Sequence, residues 1–159
     1  MCSHSCGAST LKTIRVRPEG RRTIDMSNEI PDQQDIDQLL EFLPVLRDLP
    51  ELAWPAGASP IWVGIEPHSE LDRFLDVASQ VSWTAQNYGA HPIIEKIDGH
   101  QINADEIKDI GDIQALLTWC VRGERFCAGH WIAVFNSGLV RTILERLHEI
   151  RWQVNESSQ

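Results

Sequence analysis

The side chains best placed by type and spacing to do chemistry fall in one stretch, Arg122-Gly123-Glu124-Arg125-Phe126-Cys127-Ala128-Gly129-His130-Trp131. Arg122, Glu124, Arg125 and His130 put three cations and one carboxylate around a glycine-rich bend. Such a group could bind an anion or a phosphate, with arginine as the two-pronged donor. Glu124 and His130 could also act as a general-base pair. Against this stands a structural role, in which an Arg–Glu link pins two helices and satisfies loose backbone groups at the bend. The structural role is the expectation, and no catalytic residue is assigned.

Metal binding is the second chemistry to weigh. Zinc wants about four N/S ligands in a tetrahedron. Cys120, Cys127 and His130 could supply three, with Cys2, His4, Cys6 or His148 as the fourth. The C-x6-C-x2-H spacing is not a common zinc signature, and small thiols often fill cores. Separately, Cys2-Ser3-His4-Ser5-Cys6 sets three soft ligands in five residues, and removal of Met1 would make His4 a third residue suited to Cu(II) or Ni(II). The expectation is no cofactor, with zinc as the alternative. A phosphate loop, a dinucleotide fingerprint and a nucleophile elbow are all missing.

These residues need helices to position them. Ile113, Leu116, Leu117 and Cys120 recur at helical spacing behind Asp112, read as the cap of a first helix that breaks at Gly123. Cys127, Trp131, Val134 and Phe135 form a second set, ended by Asn136-Ser137-Gly138. Val140, Ile143, Leu144, Leu147 and Ile150 form a third. The short turn between the last two could make a helix-turn-helix. Its second helix, however, interleaves Arg141, Arg146 and Arg151 with Glu145 and Glu149, a poor set for reading bases.

Over this region the chain resembles an uncharacterised family of small bacterial proteins, a domain of unknown function. The resemblance rests on Ala115-Leu116-Leu117-Thr118, on Val121 with the Arg-Gly-Glu-Arg-Phe-Cys run that follows, and on Gly129-His130-Trp131. Ser137-Gly138-Leu139 and Leu144-Glu145-Arg146-Leu147 extend it. It implies a compact, mainly helical domain and no substrate, cofactor or catalytic residue.

Upstream, Ile36, Leu39, Leu40 and Leu43 outline a helix capped by Asp32 or Asp35 and broken at Pro44. A proline-punctuated connection holds Trp54 and Trp62, with residues 61–65 as a strand or extended segment. Pro67 opens a helix whose core stripe is Leu71, Phe74, Leu75, Ala78 and Val81, ending near Gly89, with Asp72 and Asp76 facing water. Residues 93–97, Asp98-Gly99 and 100–102 give the best hairpin signal. Asn103 and Glu106 suggest a capping box for a short helix to Ile110, closed by Gly111.

The chain of 159 residues has 42% hydrophobic residues, enough for one domain with a core that needs no disulfides. Its formal charge of -9 is uneven: residues 25–112 hold four Lys/Arg against 18 Asp/Glu, whereas residues 1–24 hold five against one. An acidic middle repels nucleic acid and suits a basic protein partner. No run of 18 apolar residues and no signal-peptide core are present, so four cysteines read as reduced thiols in the cytoplasm. The expected organisation is a basic arm at 1–25, with Met26 as an alternative start, a helical domain at 26–153 and a tail at 154–159. The expected fold is mainly α, a compact helical bundle with at most one short β-hairpin. The expected role is a small non-catalytic interaction protein with an acidic face for a protein partner, ahead of an anion-binding or enzymatic bend or a DNA-binding regulator.

Overall fold

The computed structural model describes residues 29–52 and 69–157. The basic arm with Cys2, His4 and Cys6, the Trp54–Trp62 connection and the helix start at Pro67 lie outside these residues. The described residues form six α-helices: α1 (Gln33–Leu40), α2 (Leu43–Arg47), α3 (Ser69–Ala78), α4 (Ile110–Arg122), α5 (His130–Asn136) and α6 (Leu139–Ser157). Short 3₁₀ turns join them, and the described residues contain no strand.

Helix α4 is the central element. It packs on α3, α5, α6 and the 3₁₀ turns between residues 81 and 96. Enclosed on most sides, it buries Ile113 through Thr118 without a break, then Cys120. The two polar residues in that run are bonded. The Gln114 carboxamide donates to the carbonyls of Glu29 and Ser82, each at 2.7 Å. The Thr118 hydroxyl donates to the Gln114 carbonyl at 2.7 Å and accepts from the Ala85 N–H at 2.8 Å. Each would otherwise be an unsatisfied polar group in the core.

Helix α6 lies along α1, α2, α4 and α5 and buries Leu139, Val140, Ile143, Leu144, Leu147 and Ile150, the stripe its spacing predicts. Phe74 of α3 meets Phe42 and Phe135 edge-on, at 5.6 and 5.9 Å between ring centres. Asp32 caps α1 in a full capping box with Asp35, and Pro44 sits in the first turn of α2. The Asn136 side chain, at the end of α5, donates to the Leu52 carbonyl and accepts from the Leu52 N–H, both at 2.8 Å.

Three local expectations are corrected. The hairpin does not form. Its turn is real: Gly99 and His100 have φ of 54° and 63°, and Asp98 and Gln101 exchange backbone hydrogen bonds of 2.9 Å. The flanking strand is instead a 3₁₀ turn, Pro92–Lys96, which Pro92 favours at its start and which buries Ile93. Next, α4 begins with Asp109 as its cap, and Asp112 is the partner three residues on in a capping box. Gly111 therefore lies inside the first turn, and the helix expected from Asn103 is only the 3₁₀ turn Ala104–Glu106. Finally, α3 stops at Ala78, ten or so residues short of Gly89, and Val81 is exposed.

Candidate functional site

Gly123 continues α4 with helical backbone angles, φ -59° and ψ -31°, into the 3₁₀ turn Gly123–Arg125. The Phe126 and Cys127 N–H groups both donate to the Gly123 carbonyl at 3.0 Å. Residues 125–128 then form an exposed tip. Phe126 is 82% exposed, an unusual position for a phenyl ring. Gly129 enters α5 at φ 85°, a left-handed conformation that glycine adopts without steric cost.

A glycine at this position has no side chain to accept the free N–H groups of the new helix. Glu124 supplies both acceptors. Its two carboxylate oxygens take the Gly129 N–H at 2.7 Å and the Trp131 N–H at 2.8 Å. The Trp131 indole N–H reaches back to the Val121 carbonyl at 3.1 Å. His130 is buried and lies flat on Gly123: a Cβ there would meet its imidazole at 2.2 Å. The ring stands edge-on to Trp119 at 4.5 Å and 5.5 Å from the ring of His100. Its Nε2 is buried and has no hydrogen-bond partner among the described residues. Burial, then the neighbouring His100 charge, hold its pKa below the ordinary histidine value, with the Trp119 carbonyl and Glu124 acting in the opposite sense.

The four candidate residues thus divide. Glu124 and His130 are built into the joint between α4 and α5. The arginines are not: among the described residues neither Arg122 nor Arg125 forms an ion pair. The expected Arg–Glu link is replaced by a carboxylate-to-backbone clasp, because the first turn of α5 competes for the same oxygens. The Arg122 guanidinium lies 5.7 Å from the Tyr88 ring centre. Both arginines line an open groove of ≈ 410 Å³ between α3 and the end of α4, facing Asp72 and Asp76 across Leu75 and Val121.

The zinc candidates are not brought together. Cys120 is in the core, where burial drives its thiol pKa far upward, and Cys127 is exposed on the tip. Among the described residues no group of three His, Cys, Asp or Glu could hold a metal ion. Nor does α6 offer a basic face. Arg146 donates to the Ile107 carbonyl at 2.9 Å and pairs with Glu149 at 2.7 Å, and Arg151 pairs with Asp37 at 2.6 Å. Sequence reasoning missed the exposure of Phe126 and the groove role of Asp72 and Asp76. The available signals were an apolar residue inside a polar tip and two acids four apart on one helix.

A family model matches residues 31–153. The chain belongs to the family of unknown function DUF6508. The match covers all six helices but for the end of α6, so this joint is part of the DUF6508 domain itself. No curated protein and no solved structure matches the chain. No helix is long and apolar enough to cross a membrane among the described residues.

Proposed function

We propose that this DUF6508 protein is a non-catalytic interaction module that presents Phe126 to a protein partner. The observation that carries the reading is the division of labour at the bend. The two groups suited to acid–base work are spent on structure: both Glu124 oxygens cap α5, and the His130 ring is enclosed between Gly123 and Trp119. What the joint holds outward is Arg125, Phe126 and Cys127. Aromatic residues and arginine are both enriched at protein interfaces relative to the rest of the surface. The clasp at its base fixes the tip before binding, which lowers the ordering cost of association. Exposed acids elsewhere on the surface, such as Asp48, Glu51 and Asp76, favour a partner with basic surface.

Cys127 makes the test direct. In a C2S/C6S background it is the one exposed thiol among the described residues, since Cys120 is buried. Attaching a photo-crosslinker at Cys127 and illuminating it in an extract of the host cells should give one dominant protein adduct. Phe126→Ser should abolish that adduct while leaving Tm unchanged. Adducts that are diffuse, or that survive Phe126→Ser, refute the reading.

A further inference from the structure

The groove between α3 and the end of α4 carries a charge pattern of its own, in which only Arg125 is shared with the tip. Asp72, Leu75 and Asp76 fall at i, i+3 and i+4, so α3 offers two carboxylates flanking an apolar residue along one wall. The facing wall carries Val121, Arg122 and Arg125. Opposite charges on facing surfaces normally close on one another. Here they do not: among the described residues none of the two acids and two arginines forms an ion pair, and the space between them is ≈ 410 Å³. Elsewhere on α3 the rule holds, since Arg73 pairs with Glu41 at 3.2 Å and Glu70 at 3.5 Å. Arg122 is steadied by the Tyr88 ring, which presets part of the groove for a ligand.

A ligand that satisfies both walls must carry both charges with an apolar body between them. A lone anion meets Asp72, Asp76 and Glu124 along with the arginines; a lone cation meets the reverse. The volume is that of a site for a small organic molecule rather than an ion. We propose that this groove binds a zwitterionic peptide of dipeptide size, its carboxylate on Arg122 and Arg125, its ammonium on Asp72 and Asp76, and its side chains over Leu75 and Val121. The site goes beyond the Phe126 reading and shares only Arg125 with it.

The test is amide chemical-shift titration of the full chain with the dipeptide Leu-Leu, its N-acetyl form, its C-terminal amide and inorganic phosphate. Leu-Leu should shift the amides around residues 72–79 and 121–125. Each blocked form should bind at least about tenfold more weakly, the cost of losing one charge-assisted contact. Arg125→Gln should weaken Leu-Leu by a similar factor. Asp76→Asn should weaken Leu-Leu yet leave the N-acetyl form unchanged. Both residues are free of ion pairs among the described residues, so both variants should keep the parent Tm. The inference is overturned by an absence of shifts in the groove at about 10 mM Leu-Leu, where a millimolar-class ligand is mostly bound. It is equally overturned if the N-acetyl form binds as well as Leu-Leu, or if phosphate binds more tightly.

Discussion

Replacing Gly123 with alanine tests the joint most directly. The backbone there is helical, so the substitution introduces no conformational strain. Taken alone it should stabilise the helix end by roughly 0.5–1 kcal/mol. The new methyl, however, would sit 2.2 Å from His130 Cδ2 and Nε2 and 2.6 Å from Cε1. To reach a normal carbon contact the imidazole must retreat by roughly 1 Å or more. Trp119 stands at 4.5 Å on one side and His100 at 5.5 Å on another, so the ring has little room to move. Overpacking of this kind costs about 1–3 kcal/mol. The net expectation is a loss of about 1–2 kcal/mol, or a Tm lower by roughly 3–6 °C for a domain of this size. A double-mutant cycle by calorimetry separates this cause from others. In a His130→Ala background the clash is gone, and Gly123→Ala should become neutral or stabilising. A single variant that melts at or above the parent temperature would refute the close packing of Gly123 on His130.

Two further outcomes follow from the same joint. Glu124→Ala removes the acceptor of two backbone N–H groups and should cost about 2–3 kcal/mol, whereas Glu124→Gln keeps one neutral acceptor and should cost about half; equal losses in urea unfolding would contradict the cap. The pH dependence has a defined sign. His130 takes up a proton less readily when folded, below its ordinary value of 6.5. The unfolded chain therefore binds the proton first, and stability must fall as pH drops through about 6.5. Between about pH 7.5 and pH 5.5 the parent should lose more Tm than His130→Gln does, and parallel profiles would rule His130 out as the cause.

The helices were legible wherever an apolar stripe was long. Val140 through Ile150 marked α6, and Asp32 with Asp35 marked the start of α1. The errors came from tertiary context. Residues 93–97 have the β-branched content of a strand, but they have no partner strand among the described residues and pack on α4 instead. Cys127 shares a helical register with Trp131, yet the left-handed Gly129 starts α5 three residues later and leaves the thiol outside. At the bend, the sequence pointed to a structural joint but paired Glu124 with an arginine. Local spacing does not show that a glycine-capped helix will claim a carboxylate five residues upstream. The groove was invisible for a similar reason, since Asp72 and Arg125 meet only through the packing of α3 on α4.

The paired bonds between the Asn136 amide and both backbone groups of Leu52 act as a single rung of ladder, borrowed from a side chain. They anchor the chain at residue 52 against the end of α5, while α3 is anchored from residue 69 by its buried face. Asn136→Ala would leave both backbone groups of Leu52 without this partner, and the chain that follows α2 would lose its tie to the end of α5.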